Sequence, residues 1–530
     1  MTSLHLTPSQ QRAYELFLQG HNLFITGKGG SGKSYLTRYI IDSAKNNGKS
    51  VIVCAPTGIA AINVHGATIH RTFLAPVRII KPYEYLNITD IKDNDRKKLD
   101  KKEKKNQEKF DVIRKADVVI IDEISMCRLD LFGYVARTLH NYDGRPKQVV
   151  VVGDFYQLPP VLSNDKGEAS AWQLIPEYAK RIFAFQAPEW KLLDIMTIEL
   201  TENMRQIDKG FISALDDIRE GIPNFATFGC RQNPNPKAIT LCPNNKMASL
   251  ENDRHLSQLI RKGAKRQLFK ESVTGVLRNM EDKELEKYRQ TGKQVELCIG
   301  SRVIILVNDR TGAYVNGDMG EVSGLSETTI EVRLDNGKLI TLELYTWSIQ
   351  EYQMVEKVNK DTGKKDKIPS LVEIGSIKQI PVKLAWAISV HKSQGQTYDC
   401  CNIRCGFWTE GQMYVALSRC RSLDGLRILG ELSKKELMYS QEVKDFMHST
   451  LDSRLNSVTT NKEGDISRSQ TERTARNPKG AGRKPKSDQT LVKRNLMRLT
   501  ESEKMYIELL RNSEGFRNKV SLEYIHWTNK

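Results

Sequence analysis

The sequence predicts an α/β protein built on parallel strands, with a smaller β-domain inserted into its second half. Between residues 22 and 162, the runs NLFIT, VIVCA, VVIID and VVVVG alternate with helix-length segments, a pattern typical of buried parallel strands. From Arg302 to Leu344 apolar and polar residues alternate, and Asp335-Asn336-Gly337 between TIEVRL and KLITLEL indicates a hairpin. The α/β pattern returns at VKLAWAISV and continues to about residue 450.

Composition limits the class of protein. The chain has 530 residues, of which 39% are hydrophobic, and its formal net charge is +17. About three to five domains are expected at this length, and the charge favours a polyanionic partner, either nucleic acid or an anionic membrane face. No apolar run reaches the roughly 20 residues of a membrane span. The N-terminus MTSLHLTPSQ lacks a signal or transit pattern, so we expect a soluble intracellular protein.

The nine cysteines are scattered without the spacing of a disulfide framework. Cys400, Cys401, Cys405 and Cys420 come closest to a cluster, but they lack the CxxC or histidine spacing of a metal site. We therefore expect reduced and mostly buried thiols.

Three polar segments interrupt the α/β pattern. Residues 80–115 contain RKKLDKKEKKNQEK, which is too polar for a core and predicts an exposed insertion, either a helix or a small subdomain. EKVNKDTGKKDK, which follows the β-rich region, predicts a polar loop. After residue 451 the composition is that of a linker, and residues 473–498 carry nine Lys or Arg against one acid, Asp488.

Residues 27–34, GKGGSGKS, fit the phosphate-binding loop (P-loop) pattern and lie between the strand NLFIT and a helix-forming segment. Glycines let the backbone N–H groups wrap around phosphate oxygens at the positive end of the helix. Lys33 would bridge the β- and γ-phosphates, and the Ser34 hydroxyl would bind Mg²⁺. The predicted nucleotide-binding residues of this loop are Gly27, Gly29, Gly30, Ser31, Gly32, Lys33 and Ser34.

Two further strand ends carry polar residues suited to the same chemistry. VVIIDEISM places Asp122 and Glu123 at the carboxyl end of a strand, where ligands bind. Asp122 would hold Mg²⁺, and Glu123 would orient and deprotonate the attacking water. Gln157, in VVVVGDFYQLPPV, is either a sensor of the γ-phosphate or a loop amide bonded to nearby backbone.

The segment LTPSQ near the N-terminus is compatible with two roles for Gln10. Thr7 and Gln10 have capping-box spacing, with Pro8 at the first helical position, and this role explains them structurally. Gln10 could instead recognise the adenine of a nucleotide.

The ordered motif series resembles the petite-integration-frequency (PIF) DNA helicases of superfamily one, class B. The resemblance spans residues 4 to about 432, and it is closest to the compact bacterial form. APTGIAAINVHGATIH and residues 123–137 carry the more specific likeness. The motifs that carry the general likeness are LTPSQ, GKGGSGKS, APTGIAAINVHGATIHRTF, IIDEISM, GDFYQLPPV, LTENMRQ, LAWAISVHKSQGQT and GQMYVALSRC.

The resemblance implies two RecA-like motor domains with ATP and Mg²⁺ between them. It implies 5′ to 3′ translocation along single-stranded DNA and unwinding of forked duplexes or quadruplexes in replication, recombination or repair, by a cytoplasmic, nucleoid-associated protein. The first motor domain would comprise residues 1–73 and 117–190, and the second residues 191–308 and 376–450. Residues 74–116 would form a charged wedge, longer than the family's usual one, and residues 309–375 a small β-barrel.

The resemblance also assigns roles to individual residues of the ATP site. Gln10 gains the adenine-reading role and Gln157 the γ-phosphate role. Arg205 in LTENMRQ and Arg419 in ALSRC match the two arginines that reach ATP from the second motor domain, where a guanidinium neutralises charge developing in the transition state. Gly395 would approach the nucleotide from the same side.

Candidate DNA contacts follow from the same resemblance. Thr57, His70, His391, Lys392 and Ser393 match positions that face the single strand, although each histidine is also compatible with a core or loop role. Phe73 either stacks on a base or packs in the core. Trp386, in an apolar run, is expected to be a core residue rather than a stacking platform.

The C-terminal region is expected to be an appendage. Residues 451–490 predict a basic linker in which RNPKGAGRKPK resembles a minor-groove-binding arm, and residues 491–530 predict a strand and two helices. This module would be a ribbon-helix-helix unit that dimerises on duplex DNA, an accessory partner-binding helix, or a disordered tail. The motor itself is expected to be monomeric.

Two other functions are compatible with the motifs. One is a RecD-like subunit that needs recombination partners, and the other is a nucleic-acid-binding regulator that uses ATP as a switch. Glu123, Arg205 and Arg419 argue against a switch, because a switch does not need a full hydrolytic set. The motifs are also compatible with RNA as the nucleic acid along which the protein moves.

Overall fold

The computed structural model describes residues 6–86, 101–141, 146–162, 166–206, 208–229, 233–309, 311–358 and 365–451. The helices are α1 Pro8–Leu18, α2 Lys33–Asn46, α3 Gly58–Asn63, α4 Ile69–Thr72, α5 Lys101–Lys115, α6 Leu129–His140, α7 Lys166–Gln173, α8 Pro188–Leu192, α9 Lys209–Arg219, α10 Asn245–Arg261, α11 Asp282–Leu285, α12 Gln412–Leu417 and α13 at residues 441–451. The strands are β1 Leu23–Gly27, β2 Val51–Ala55, β3 Ala67–Thr68, β4 Val118–Ile121, β5 Gln148–Val152, β6 Met196–Leu200, β7 Ile239–Cys242, β8 Arg266–Lys270, β9 Ser272–Val273, β10 Gln294–Cys298, β11 Arg302–Ile305, β12 Met319–Leu325, β13 Thr329–Leu334, β14 Leu339–Glu343, β15 Tyr345–Val358, β16 Lys365–Gln379, β17 Val382–Leu384, β18 Ala387–Ser389, β19 Cys401–Arg404 and β20 Leu426–Leu429.

The first half of the chain forms a six-stranded parallel sheet in the order β3-β2-β4-β5-β1-β6. Its strands β1, β2, β4 and β5 are the four predicted apolar runs. Strand β6 also belongs here, since Leu23 of β1 pairs with Met196. The first unit therefore extends past the boundary predicted at residue 190.

Both faces of this sheet are covered, which explains why its strands are apolar at nearly every position. Leu23 and Ile25 of β1 pack with Leu36 and Ile40 of α2 on one face. Phe24, between them, points to the other face and packs against Trp190 of α8. Successive side chains along a strand point to opposite faces of the sheet and therefore pack into two separate hydrophobic cores, one on each face.

A second parallel sheet, β18-β7-β19-β20, forms the core of the second unit. Strand β7 precedes the β-rich region in the chain and the other three strands follow it. The insertion of a β-domain into a second α/β unit is therefore confirmed.

The inserted region contains a five-stranded antiparallel sheet, β14-β13-β12-β11-β17. The predicted hairpin is present, with β13 paired to β14 and Gly337 in the turn at a φ of 86°. Antiparallel strands run from β8 to β17, so the insertion is wider than the predicted residues 309–375. The two ends of the predicted polar loop belong to a long hairpin, β15 with β16, and residues 359–364 lie outside the described ranges.

The apolar run VKLAWAISV divides between two sheets. Strand β17 pairs with β11 in the antiparallel sheet, and β18 pairs with β7 in the parallel one. Trp386 lies in the bend between them, half-buried and stacked on His255 at a centroid distance of 5.2 Å. Trp386 is therefore packed against another ring but only partly buried, and not the fully buried core residue that was expected.

The charged insertion forms helix α5, but it is not a freely exposed segment. Val112 and Ile113 are fully buried, and Lys109 forms an ion pair of 3.2 Å with Glu351 of β15. The neighbouring Tyr352 hydroxyl accepts a hydrogen bond of 2.7 Å from the Val53 N–H of β2. The polar composition misled the prediction, since long lysine stems pack while their charged ends find partners.

Several predictions concern residues outside the described ranges. They include part of the wedge, residues 87–100, and the linker and C-terminal module, residues 452–530. Along the ranges that the structure describes, no helix has both the length and the apolar character to cross a bilayer, and no cluster of His, Cys, Asp or Glu is arranged to hold a metal ion.

Candidate active site

The P-loop lies between the end of β1 and the start of α2. Gly30 and Gly32 have φ values of 92° and 81°, a left-handed conformation that favours glycine. The Lys33 ammonium donates to the carbonyl of Gly27 at 2.6 Å, so its side chain folds back over the loop. The Ser34 side chain lies in the exposed first turn of α2. Local sequence and local geometry therefore agree on a phosphate-binding loop.

Gln10 has the capping-box contacts that were one of its two predicted roles. Its side-chain oxygen accepts from the Thr7 N–H at 3.0 Å, and the Thr7 hydroxyl accepts from the Gln10 N–H at 3.4 Å, which completes the capping box. The Gln10 amide nitrogen also lies 3.5 Å from the Gly32 carbonyl oxygen. The cap therefore holds a buried amide directly against the P-loop.

Two carboxylates follow strand β4. Asp122 is buried and accepts a hydrogen bond of 2.8 Å from the Glu123 N–H. Glu123 has a φ of 52°, unusual for a residue with a side chain. Burial raises the pKa of Glu123 to about 7, and the Asp122 charge acts in the same direction while Lys33 opposes it. A carboxylate with a pKa near neutrality is suited to accept a proton from water.

The Gln157 side chain is fixed from two sides. Its amide nitrogen donates to Asp154 at 3.3 Å, and its oxygen accepts from the Gln394 amide at 3.3 Å. The same Gln394 amide lies 3.3 Å from the Glu123 carboxylate. Gln394, from the second unit, thus joins the residues predicted for the water and for the γ-phosphate.

Both predicted arginines reach the P-loop, but only Arg419 comes from the second unit. Arg205 follows β6 of the first sheet, and the neighbouring Met204 N–H donates to the Gly30 carbonyl of the P-loop at 2.9 Å, so the predicted origin of Arg205 in the second motor domain is wrong. A Cβ added to Gly29 would lie 3.3 Å from Nη1 of Arg205 and 3.5 Å from Nη2 of Arg419. Arg205 donates to the Ser418 carbonyl at 3.1 Å, and Arg419 donates to the carbonyls of Val415 and Gln396 and to the Ser418 hydroxyl. Burial lowers the pKa of Arg205 to about 9, and repulsion from Arg419 acts in the same direction.

These contacts fit a nucleotide polyphosphate. Within the described ranges, the hydrogen bonds of both guanidiniums go to neutral oxygens, which leaves positive charge to be balanced by an anion. The Ser31 hydroxyl of the P-loop is buried and has no hydrogen-bond partner among the described residues. Lys33 adds a third cation, and burial lowers its pKa. The donor set therefore suits the phosphates of ATP.

The residues predicted to contact DNA have different surroundings. Thr57 caps α3 and is half-buried, His70 and His391 are half-buried, and Lys392 is exposed. Burial lowers the pKa of His70 to about 4, so this ring is neutral near pH 7. Each of these residues follows the carboxyl end of a parallel strand, on the side where α/β sheets bind ligands. Gly395 is exposed at a φ of 80°, next to Gln394.

Two of the predicted DNA contacts need correction. The Phe73 ring is fully buried in the core, which supports packing over base stacking. Ser393 is also fully buried, and its hydroxyl donates to the Val390 carbonyl at 2.8 Å. Neither side chain reaches the surface of the structure.

Other residues of the site escaped the sequence analysis. They are the buried Asp154 and Arg219, the bridging Gln394, and Tyr414, whose hydroxyl lies 3.2 Å from the Gly29 N–H. Gln394 lies in the motif LAWAISVHKSQGQT and Tyr414 in GQMYVALSRC, so the sequence could have indicated both residues. Arg219 lies in an ordinary amphipathic helix, α9, and nothing local marked it.

The structure has two parallel sheets, a P-loop at the end of a strand of the first sheet, and two arginines beside that loop, one of them from the second unit. This arrangement defines a P-loop motor with two RecA-like domains. A model of the family described as PIF1-like helicase matches residues 5–227. Over 433 residues the chain is 29% identical to the ATP-dependent DNA helicase Pif1 of Campylobacter jejuni, covering 78% of this chain and 90% of that relative.

Solved structures support the same assignment. A crystal structure of Bacteroides sp. Pif1 in complex with ADP-AlF4 is 31% identical with a TM-score of 0.71, covering 85% of this chain and 98% of that one. Bacteroides Pif1 bound to single-stranded DNA is 32% identical with a TM-score of 0.56, covering 84% and 97% respectively. The chain belongs to the PIF1-like helicase family.

Proposed function

We propose that the protein is an ATP-dependent DNA helicase that moves 5′ to 3′ on single-stranded DNA and separates forked duplexes. The observation that carries this proposal is the meeting of Arg205, which follows β6 of the first unit, and Arg419 of the second unit at the P-loop. A hydrolytic site completed by a second unit links the chemistry to the relative position of the two units. The direction of movement is the one implied by the family resemblance.

Each residue of the site has a role in ATP hydrolysis. Mg²⁺-bound ATP supplies the phosphoanhydride bond whose cleavage drives the motor. Lys33 and the P-loop N–H groups would hold the phosphates, while Ser34 and Asp122 would hold the metal. Two protein ligands suit Mg²⁺, which keeps several waters and phosphate oxygens. Gln10 holds the adenine.

The remaining groups act on the attacking water and on the developing charge. Glu123 accepts the proton of the water, and Gln157 orients the water toward the γ-phosphate. Arg205 and Arg419 would neutralise negative charge that develops in the transition state, and Gly395 would approach the nucleotide from the second unit.

Movement along DNA follows from the division of the site between the two units. Because the P-loop belongs to one unit and Arg419 to the other, a closed cleft binds the triphosphate better than an open one. Only this difference in affinity can shift the equilibrium toward closure. If the units alternate their grip on the strand, each cycle advances the motor by a small step.

The proposed contacts with the DNA strand come from both units. They are made by Thr57 and His70 of the first unit and by His391 and Lys392 of the second. The inserted β-domain and the charged wedge would border the path of the DNA. Forked and single-stranded DNA are the proposed substrates. Dimerisation and duplex binding through the C-terminal residues are further proposals that rest on the sequence alone.

Strand displacement tests the function. Duplexes with a 5′ or a 3′ single-stranded tail are incubated with Mg²⁺ and ATP, with Lys33→Ala as the inactive variant. Lys45→Ala, an exposed lysine later in the same helix, is the matched control and should behave like the wild type.

We expect unwinding of the 5′-tailed substrate alone, lost only in Lys33→Ala. Unwinding from the 3′ tail would overturn the direction. DNA-stimulated hydrolysis without unwinding of either substrate would overturn the helicase proposal and favour the ATP-switched or partner-dependent alternatives.

A further inference from the structure

Helix α9 carries two charged residues that contact two different loops of the ATP site. Asp216 forms an ion pair of 2.6 Å with Lys28 of the P-loop. Arg219, three residues later and on the same helix face, forms an ion pair of 3.2 Å with Asp154, at the start of the loop that carries Gln157. The helix also packs against α12, which leads into Arg419.

The ion pair between Arg219 and Asp154 is enclosed. The Asp154 side chain is 0% exposed and that of Arg219 is 6% exposed. The guanidinium lies over the Tyr156 ring, 3.9 Å from its centroid, and Glu199 is a more distant second carboxylate at 3.8 Å. A planar guanidinium held by a ring on one side and a carboxylate on the other has little freedom to move.

The Asp154 carboxylate connects Arg219 to Gln157 through hydrogen bonds. One carboxylate oxygen takes the Arg219 bond and also accepts from the Tyr156 N–H at 3.2 Å. The other oxygen accepts from the Gln157 amide at 3.3 Å. Because an amide has two chemically different ends, this bond decides which end of Gln157 faces the site. The outward end is the oxygen that meets Gln394.

We propose that Arg219 is a positioning residue for ATP hydrolysis, acting through Asp154 to orient the Gln157 amide. The inference rests on the proposed function and extends it to a helix that carries none of the family's motifs. Without the guanidinium, Asp154 is a buried carboxylate that has lost its nearest cation, and it rotates toward other donors. Gln157 then loses the bond that sets its orientation.

A double-mutant cycle between Arg219 and Gln157 tests the link. Steady-state ATP hydrolysis with single-stranded DNA is measured for Arg219→Gln, Gln157→Ala and the double variant. We expect Arg219→Gln alone to lower kcat by about ten- to a hundredfold, the range for a misplaced catalytic group. In the Gln157→Ala background the same substitution should have little further effect, since both act on one group.

Other variants separate positioning from general damage. Arg219→Lys keeps the charge and should recover part of kcat, and Asp154→Asn should resemble Arg219→Gln. The control is Arg137→Gln, a buried arginine of α6 that forms a 2.6 Å ion pair with Glu189 of α8. It should lower thermal stability, yet its effect on kcat should be small. The affinity for ADP, measured by calorimetry, should be unchanged in Arg219→Gln, because ADP lacks the γ-phosphate.

A readout that does not depend on activity completes the test. Deuterium uptake by the peptide spanning residues 154–158 should rise in Arg219→Gln but not in Arg137→Gln. Additive losses in the cycle, an equal loss of ADP affinity, or unchanged deuterium uptake would each overturn the inference. If the wild type failed to hydrolyse ATP, the proposed function would fall while the uptake result still decided the link from Arg219 to the loop.

Discussion

The rate of the hydrolysis step should rise with pH through the titration of Glu123. Burial raises the pKa of this carboxyl to about 7, and a general base works only when it is ionised. The ionised fraction is then about 10% one pH unit below that value and about 90% one unit above it. We therefore expect a roughly ninefold increase between about pH 6 and pH 8.

The assay is single-turnover hydrolysis of ATP with saturating single-stranded DNA, so that product release does not hide the chemical step. Asp42→Asn, at an exposed position in α2, is the control and should keep the wild-type profile. Glu123→Gln should be slow and nearly independent of pH. A flat wild-type profile from pH 6 to pH 8, with an inactive Glu123→Gln variant, would refute the assignment of the base.

The same pKa makes an independent prediction about stability. A carboxyl whose pKa is raised by folding favours the native state below its unfolded pKa, near 4.5, and this contribution is lost as pH rises through about 7. The difference corresponds to at most about 3 kcal/mol. Glu123→Gln, which cannot ionise, should therefore melt at a higher temperature than the wild type at pH 8 and show little gain at pH 4. An equal gain at both values would mean that the effect does not come from ionisation.

Three further predictions concern the second unit, the insertion and the core. Arg419→Ala should lower kcat by about 10³- to 10⁵-fold while ADP still binds, measured by single-turnover hydrolysis and calorimetry; normal turnover would remove Arg419 from the site. Lys109→Met should lower the free energy of unfolding, measured with urea, by about 3–5 kcal/mol, because the buried Glu351 loses its ion pair with Lys109. Adding Glu351→Leu should restore most of that stability. A loss below about 1 kcal/mol would contradict a stabilising role for this pair. Phe73→Ala should cost about 3–5 kcal/mol through cavity formation, with unchanged affinity for single-stranded DNA; a tenfold weaker affinity would reinstate base stacking.

The parallel-sheet regions were predictable because their signals are local. Strands β1, β2, β4 and β5 are short apolar runs, and the P-loop, Asp122, Glu123 and Gln157 each come soon after such a run. Glu123 follows β4 and Gln157 follows β5, so the chain order itself places them at one edge of the sheet. Composition alone gave the wrong environment for Lys109, because a polar segment was assumed to be solvated along its whole length. Phe73 and Ser393 were carried over by motif position, which does not show which way a side chain points.

Contacts that join distant parts of the chain were not predictable in the same way. Arg219 and Asp154 are 65 positions apart, and neither residue type is unusual at its place in the sequence. The pairing exists because α9, which follows β6 in the chain, packs against the loop after β5, and no periodicity in α9 encodes that contact. Local patterns can therefore identify the groups that touch the nucleotide, since strand ends gather them. The residues that hold those groups in position come from whichever element packs behind the loop, and only the assembled structure shows which one that is.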